Sequence, residues 1–460
     1  MHFMPVHALL TSSLQYGIVS RSLHFTGKVL RGFLDASGTG LGIGNPNREF
    51  TPNISACALA NDGGTALVLW GFRSGEISIV TASRAMEGRG RAAVTAYGCS
   101  IEDKHHGAVL DAVWGRNSGE KGLKTVNAAL TAAADGRVKL WNASRVRCLW
   151  TSYVAPGVLV PDPCVKVAAV LERGIIVGAM SSGEVVVWSG LDAYLPDGPL
   201  RNRFPPVDEI RIPRPFHSLT NAASEPDAPK HVPTALYVDR CVPILGILIA
   251  YDNHPYFYRL RVDLSSHEVN TSCFGDASSG HVTAILPSFV RGPDESSFVV
   301  AGDRLGCISV YDWETAAPTA PAPAVTAVRK LVAHADGTCV SALAWNGAAL
   351  ATGSTRGVVR VWDALTLECV LDFLPPGPGP RVRARAREGE ATAGAGVTQI
   401  LLGSESDMLV AAVGGRVMAW RAGGVGRGKG KGKGVLGHAP KMRKWERAKY
   451  HREPFSVALR

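Results

Sequence analysis

The chain has 460 residues, of which 46% are hydrophobic, enough apolar surface for one large repeat structure or for two or three ordinary domains. Its nine cysteines are scattered without a C-x-x-C pair, which argues against a disulfide framework or a cysteine-rich zinc module and favours a reducing compartment. The formal net charge of +10 comes entirely from residues 421–460, which hold twelve Lys or Arg and two Glu.

Residues 1–53 carry a weak transit-peptide signal, with Arg21, Lys28 and Arg31 before the first acidic residue, Asp35; the competing interpretation is an ordinary terminal segment. The first residues lack a basic region followed by a cleavage site, which argues against a secretory signal. The glycine-rich stretch GTGLGIGNP, residues 38–46, does not fit the spacing of a dinucleotide-binding or phosphate-binding loop. We therefore interpret it as a flexible connector.

Two stretches that lie far apart repeat one pattern. Residues 129–141 (ALTAAADGRVKLW) and 350–362 (LATGSTRGVVRVW) each pass from an apolar run through a glycine-containing turn into alternating apolar residues that end in Trp. This pattern predicts two antiparallel strands joined by a short turn. A lone hairpin is marginally stable in water, so other elements must cover it.

Looser copies of this pattern occur at residues 65–80, 174–188, 244–262, 298–311 and 408–420. A short apolar segment precedes most copies and another often follows, so each unit supplies about four strands. One unit cannot bury both faces of its sheet, whereas radially stacked units can. The sequence therefore predicts an all-β fold, a single β-propeller of about seven four-stranded blades over residues 54–421, with a disordered basic tail at 422–460.

The ends of these units resemble the signature of the WD40 repeat proteins. Three dipeptides stand where that family has Trp-Asp or a variant of it: Trp141-Asn142, Tyr311-Asp312 and Trp362-Asp363. The resemblance covers residues 54–421 and implies a propeller that binds partner proteins. The chain is also loosely similar to the propeller portion of F-box/WD proteins, which present substrates for ubiquitin transfer, although residues 1–50 supply no F-box element.

In the second unit the resemblance also implies an internal hydrogen-bond relay. Its members would be His106, Thr131, Asp135 and Trp141. In such a relay the carboxylate holds the imidazole, the imidazole meets the hydroxyl, and the hydroxyl meets the indole N–H, so each buried polar group has a partner.

The relay is incomplete in other units. The sixth unit has His334, Thr352 and Trp362, but Arg356 stands in place of the aspartate, and the fifth has His281 with Ala301 and Leu305. Apolar packing rather than the relay is therefore expected to hold these units together.

The last unit ends at Trp420 and runs into a Gly/Lys-rich segment that cannot form a strand, so its outer strand is missing. We expect residues 27–34 (GKVLRGFL), within the N-terminal segment 1–53, to take that place and close the propeller.

No constellation for catalysis or metal binding stands out. The pair His105-His106 lacks a third and a fourth ligand at useful spacing, and Cys164 lacks a base that would activate its thiol. We therefore expect no cofactor, no metal, no small-molecule substrate and no enzymatic activity. A hydrolase built on a propeller remains an alternative that requires carboxylates or histidines clustered at the central channel.

Two segments are rich in charge. Residues 375–396 read as a disordered Pro/Gly/Arg loop. In the tail, the flexible run 426–434 leads into the helix-forming stretch 441–453, and the candidate contacts to RNA, to an acidic partner or to the nuclear import machinery are Lys429, Lys431, Lys433, Lys441, Arg443, Lys444 and Trp445. The competing interpretation is a disordered solubilising tail.

The first functional hypothesis is a non-enzymatic scaffold or adaptor for other proteins, one version of which is the substrate-recognition subunit of an F-box-type ubiquitin ligase. The alternative is a nucleic-acid-associated factor of RNA processing or ribosome assembly that uses the basic tail. No apolar run approaches the roughly 20 residues that cross a bilayer, so we expect no membrane partner and a cytoplasmic or nuclear location.

Overall fold

The computed structural model describes residues 2–3, 8–14, 18–23, 29–35, 53–62, 64–84, 93–115, 127–154, 160–195, 206–215, 231–240, 244–290, 296–315, 324–374, 396–403, 408–414, 416–421 and 455–458. These residues belong to two compact units, one spanning residues 1–340 together with residue 460 and one spanning residues 341–459. Apart from two short 3₁₀ helices, Leu171–Arg173 and Leu191–Tyr194, the regular structure of the described residues is β-strand.

The first unit contains six four-stranded sheets in its described part, which we name the N-terminal sheet and blades one to five. Their strands are His2–Phe3, Ala8–Ser13, Ile18–Leu23 and Val29–Asp35 in the N-terminal sheet; Ile54–Asp62, Thr65–Phe72, Ile77–Ser83 and Ala93–Gly98 in blade one; Val109–Trp114, Ala128–Ala133, Val138–Asn142 and Arg147–Thr151 in blade two; Cys164–Val170, Ile175–Met180, Val185–Ser189 and Asp208–Ile212 in blade three; Pro233–Asp239, Leu245–Tyr251, Tyr256–Val262 and Val269–Gly275 in blade four; and Val282–Ser288, Phe298–Asp303, Cys307–Asp312 and Arg329–Val332 in blade five.

The second unit contains blades six and seven. Their strands are Val340–Trp345, whose first residue lies at the boundary between the units, Ala349–Ser354, Val359–Asp363 and Cys369–Phe373 in blade six, and Val397–Leu402, Met408–Val413, Arg416–Arg421 and Phe455–Ala458 in blade seven.

Strands that follow one another in the chain are neighbours in each sheet. The seven units expected from Ile54 onward all appear, and the hairpin predicted at residues 129–141 is formed by Ala128–Ala133 and Val138–Asn142. The prediction of an all-β fold built from four-stranded propeller blades is confirmed. The N-terminal sheet is an addition to these blades, and its Leu10 and Val19 pack against Val68 and Trp70 of blade one.

The prediction for the closing strand was wrong. Val29–Asp35 pairs with Ile18–Leu23 inside the N-terminal sheet, and the fourth strand of blade seven is Phe455–Ala458, which pairs with Arg416–Arg421. The N-terminal strand does not reach blade seven because the residues before it supply a complete sheet of their own, with which its backbone groups pair. The helix expected at residues 441–453 and the loop at 375–395 lie outside the described residues.

The second strands of the blades carry much of the core. All six residues of Ala128–Ala133 and all seven of Leu245–Tyr251 are buried. Both faces of such a strand are covered by packed sheets, so it reads as a continuous apolar run rather than as an alternation. The alternation expected of a half-buried strand survives in first strands such as Val340–Trp345.

Adjacent blades approach most closely at a glycine near the end of a second strand. A Cβ on Gly71 would lie 2.5 Å from Cγ1 of Val109, the first residue of the next blade, and a Cβ on Gly353 would lie 2.5 Å from Cγ1 of Val397 in the same way. Beside the second contact, the Ser341 hydroxyl donates to the carbonyl oxygen of Val397 at 2.6 Å. Close contacts that only glycine permits therefore add to the apolar clusters that neighbouring blades share.

A hydroxyl recurs at the start of the first strands. The Ser or Thr that carries this hydroxyl lies at a register shift of the first strand or directly after the first residue of that strand. The hydroxyl donates to a backbone carbonyl near the end of the second strand. The residues are Ser55, Thr234, Thr283, Ser341 and Thr398. The bond gives these carbonyls a partner where the bulge interrupts the ladder.

Blades four and five meet around a buried arginine. Arg259 is 1% exposed, and its guanidinium lies beside the stacked rings of Phe274 and Trp313, 5.3 and 5.4 Å from their centroids. It donates to the carbonyl oxygens of Trp313 and Thr315, while the Trp313 indole N–H donates to Asp239 at 2.9 Å. The cation is thus stabilised by carbonyl dipoles and aromatic faces, as expected for a planar, weakly hydrated charge.

Replacing Gly71 or Gly353 with alanine should lower the free energy of unfolding by about 1–3 kcal/mol, because the new methyl overpacks a stiff valine. Chemical denaturation followed by tryptophan fluorescence measures the effect. The matched control is Gly98→Ala, whose Cβ would meet only a backbone oxygen at 3.9 Å. Equal losses in Gly71→Ala and Gly98→Ala would contradict the close contact, and Val109→Ala should restore part of the loss in the Gly71→Ala chain.

Candidate functional site

A four-member hydrogen-bond relay connects the connector before blade two to the interior of that blade. Its histidine is His105: Nε2 lies 2.8 Å from the Thr131 hydroxyl, and Nδ1 lies 3.3 Å from both carboxylate oxygens of Asp135. The Trp141 indole N–H donates to the same Thr131 hydroxyl at 2.8 Å. Thr131 therefore accepts from Trp141 and donates to Nε2 of His105, which leaves the imidazole proton on Nδ1, facing Asp135.

The assignment of His106 to this relay was wrong, whereas those of Thr131, Asp135 and Trp141 agree with the geometry. His105 is fully buried, and His106 is exposed and gives the relay only its backbone N–H, which donates to Asp135 at 2.8 Å. Consecutive residues of an irregular connector project in different directions, and the sequence does not show which member of a His-His pair turns inward.

The ionisation of the relay follows from its burial. Burial lowers the pKa of His105 below its ordinary value, although the hydrogen bond and charge of Asp135 oppose the shift. Burial alone would raise the pKa of Asp135, but hydrogen bonds from His105 and from the backbone N–H groups of His106 and Arg137 outweigh it and lower that pKa. The histidine is therefore neutral and the aspartate ionised near neutral pH, and the relay stabilises the blade, since its side chains have no access to a substrate.

Other blades keep parts of the relay. In blade six the Trp362 indole N–H donates to Thr352 at 3.1 Å. In blade five the carboxylate comes from Asp303, two residues before Leu305, and accepts the backbone N–H groups of Gly280, Leu305 and Cys307. Asp303 stands two residues before the position that fixed spacing between blades predicts, so the sequence pattern does not reveal it.

The second residue of the signature dipeptide caps the turn into the fourth strand. The Asp363 carboxylate accepts from the backbone N–H groups of Leu365 and Thr366, both at 2.9 Å. Asn142 and Asp312 cap their turns in the same manner, and so does Asp263 of blade four, which carries no tryptophan before it. The dipeptide thus marks a turn, and its acidic or amide member matters there as a hydrogen-bond acceptor.

The predicted tail contacts fall in a part of the chain that the structure does not describe. Lys429, Lys431, Lys433, Lys441, Arg443, Lys444 and Trp445 all lie outside the described residues. Their proposed role in binding RNA or an acidic partner stays a prediction.

Titratable groups in the described part of the chain offer no reactive thiol or metal cage. Burial raises the pKa of Cys164 and raises that of Cys57 to about 12, so neither thiol ionises near neutral pH. Within the described ranges, no group of three or more His, Cys, Asp or Glu is arranged to hold a metal ion, and no helix has the length and hydropathy of a membrane span.

The first unit exposes large apolar side chains along one edge of its blades. We name this the connector edge, because it carries the turn between the second and third strands and the connector to the next blade. Ile101 and Val160 are each 81% exposed there. Exposed apolar residues on or next to this edge include Tyr97, Tyr153, Leu305 and Val332, whereas Ile244 and Val328 lie at the opposite edge.

The connector that presents Ile101 is held firmly. The Lys139 ammonium, 6% exposed, donates to the carbonyl oxygens of Asp103 and Lys104 at 2.7 and 3.1 Å. The Asp103 carboxylate accepts the backbone N–H of Cys148 at 3.3 Å, and His105 donates its backbone N–H to Gly75 of blade one at 2.9 Å. A partner that buries Ile101 would therefore meet an ordered surface and lose little conformational entropy.

Comparison with known proteins supports the fold. No protein-family model matches the chain, and no curated protein matches it in sequence. Among solved structures it is similar to the computationally designed protein Ika8, with a TM-score of 0.52 and 16% identity over 92% of this chain and 98% of the other. It is also similar to Sqt1 of Saccharomyces cerevisiae, with a TM-score of 0.51 and 9% identity over 81% of this chain and 83% of Sqt1.

His105→Ala should lower the free energy of unfolding by about 2–4 kcal/mol, because it leaves a cavity and removes the partner of two buried polar groups. The matched change His106→Ala should cost about 0.5 kcal/mol or less, since that side chain is exposed. Denaturant titration of both variants measures the difference. A larger loss for His106→Ala would show that the relay uses the other histidine.

The protein should lose stability as the pH falls below about 6.5, the ordinary pKa of histidine. The folded state depresses the pKa of His105 and lowers that of His254 to about 4, so the unfolded state binds more protons in this window. Melting temperature measured from pH 8 downward should be flat above the ordinary histidine pKa and fall below it. The slope should be shallower in His105→Asn than in wild type; unchanged slopes would assign the acid sensitivity to other groups.

Proposed function

We propose that this chain is a non-catalytic protein-interaction scaffold and that partners bind the connector edge of the first unit. The observation that carries the proposal is the set of exposed apolar side chains at this edge, of which Ile101 lies on a connector that internal hydrogen bonds hold in place. A β-propeller fold suits this role, since a rigid core presents many variable connectors and needs no reactive group. The expected absence of enzymatic activity is part of this proposal.

Ile101 is the best anchor to test. Its side chain is 81% exposed, and four hydrogen bonds of its connector are made by residues other than Ile101 itself. An aliphatic side chain that becomes fully buried on binding contributes about 1.5–3 kcal/mol, which is enough to decide whether a moderately tight complex forms.

We also propose a narrower role for the scaffold and one alternative to it. Membership of the WD40 family and a role as substrate-recognition subunit of an F-box-type ubiquitin ligase rest on the signature dipeptides of the blades. The alternative role in RNA processing or ribosome assembly rests on the cationic residues between 426 and 445. The two roles differ in which part of the chain the partner contacts.

Ile101→Asp should abolish binding of partners that use the connector edge, while Val328→Asp should leave binding unchanged, since Val328 is 69% exposed at the opposite edge. Quantitative affinity capture with wild type and both variants identifies the partners, and titration of a purified partner then measures the loss, expected at tenfold or more. Equal binding by wild type and Ile101→Asp would contradict the proposed surface.

A third variant separates the tail from the blades. Cutting the chain at residue 421 would remove Phe455–Ala458, the fourth strand of blade seven, and so disturb the fold. The better variant replaces Lys429, Lys431, Lys433, Lys441, Arg443 and Lys444 with serine and keeps that strand. Salt-sensitive RNA binding that disappears in this variant would favour the nucleic-acid role, and partner binding that survives in it would favour the scaffold.

A further inference from the structure

Three histidines and an arginine meet at the connector edge of blades three to five. His231 precedes the first strand of blade four, His254 lies in the second turn of that blade, and His281 precedes blade five. The rings of His231 and His254 are 5.4 Å apart between centroids. His281 is next to Val282, whose backbone N–H donates to the carbonyl oxygen of His254 at 2.9 Å.

The backbone fixes one nitrogen in each of two rings. Nδ1 of His231 donates to the carbonyl oxygen of Asp252 at 2.8 Å, and Nδ1 of His254 lies 3.3 Å from both the backbone N and O of Tyr256. The Nε2 atoms are therefore the nitrogens through which these rings meet other groups. The rings of Tyr256 and Tyr258 lie 5.4 and 5.9 Å from the ring of His254 and form a wall of the cluster.

Arg214 enters from the end of blade three. Its stem lies against Gly183, where a Cβ would come within 2.7 Å of Arg214 Cδ. Gly183 has φ of +94°, a conformation that favours glycine. The Tyr251 hydroxyl donates to the carbonyl oxygen of Gly183 at 2.9 Å, and the Tyr251 ring lies 6.1 Å from that of Tyr258, so the arginine and the histidines border one aromatic surface.

The charges in this cluster repel one another. The pKa of His254 is lowered to about 4, mainly by burial and in part by the charges of His231, His281 and Arg214, against the hydrogen bond with Tyr256, which raises it. The negative charge of Asp276 adds to burial in raising the pKa of Tyr256. The Asp276 carboxylate also accepts hydrogen bonds from the backbone N–H and the hydroxyl of Ser278, at 2.9 and 2.7 Å.

One polar atom of the cluster is orphaned. Nδ1 of His281 is buried and has no hydrogen-bond partner among the described residues. A buried donor or acceptor without a partner costs about 1–3 kcal/mol, and such an atom in a native fold commonly marks a missing ligand, ion or water. An anion would supply an acceptor for this nitrogen.

We propose that Arg214, His231, His254 and His281 form a binding site for a phosphate-class dianion, either free phosphate or a phosphate monoester. A guanidinium and three imidazoles carry enough N–H donors for the four oxygens of a tetrahedral dianion, which has more acceptors than a carboxylate. A metal cation fits less well, because the arginine repels it and the histidines are not in a metal-ligand arrangement. The site binds a proton together with the anion, since the bound charge favours imidazolium. This inference does not depend on the proposed scaffold role.

Sulfate tests the site, because its charge is constant over the pH range used. At fixed ionic strength, sulfate should bind at least tenfold more tightly at about pH 6 than at about pH 8, since proton uptake links the two equilibria. Titration calorimetry of the full chain measures the affinity. Arg214→Gln and His254→Asn should each weaken it tenfold or more, whereas His267→Asn, an exposed histidine paired with Asp208 at 2.8 Å, should change it less than about twofold.

Binding of inorganic phosphate and of O-phosphoserine, with serine as the control, shows whether the ligand is free phosphate or a phosphorylated side chain. Binding of either one that depends on Arg214 supports the site. Melting curves without anion confirm that each variant is folded. Sulfate binding no tighter than chloride binding, affinity equal in wild type and the folded Arg214→Gln chain, or affinity that does not change with pH would each overturn the proposal.

Discussion

The fold depends on how closely one blade can approach the next. At Gly71 and Gly353 the backbone of a second strand meets the first valine of the following blade with no room for a side chain. The contact recurs because each blade must cover the face that its predecessor leaves exposed, and a sheet of four strands is too small to bury both of its own faces. The recurring hydroxyl near the start of the first strand satisfies a carbonyl where the ladder is interrupted. The same two features, a close contact at glycine and a hydrogen bond from a hydroxyl, thus recur in different blades.

Much of this architecture is predictable from the sequence, because the blades repeat a strong local signal. Ala128–Ala133 and Val138–Asn142 carry apolar runs and a glycine turn that need no tertiary information. The N-terminal sheet lacks that signal, since Ala8–Ser13 and Ile18–Leu23 are half polar and no tryptophan closes the hairpin. The strand Phe455–Ala458 escapes prediction for another reason: it is separated from its partner by a long glycine- and lysine-rich segment, and pairing at such a distance leaves no periodic trace.

The candidate sites are likewise predictable from the sequence only where their residues lie close together along the chain. The relay of Thr131, Asp135 and Trp141 is visible because its members lie within one hairpin. The histidine that completes it comes from a connector, where local pattern does not settle which of two neighbours turns inward. The contact of Trp313 with Asp239 joins two blades, and the histidines of the anion site stand on connectors that only the folded chain brings together. Residues that act across blades are therefore beyond what spacing along the chain can show.

The pairing of Phe455–Ala458 with Arg416–Arg421 makes the basic tail an internal loop of blade seven rather than a loose end. A partner that binds the lysines between these strands is therefore connected through the chain to both strands of one antiparallel pair. A cut within that segment would separate Phe455–Ala458 from the rest of the chain, so that only noncovalent contacts would keep this strand paired with Arg416–Arg421. The stability of blade seven would therefore depend on whether the chain between residues 421 and 455 is intact.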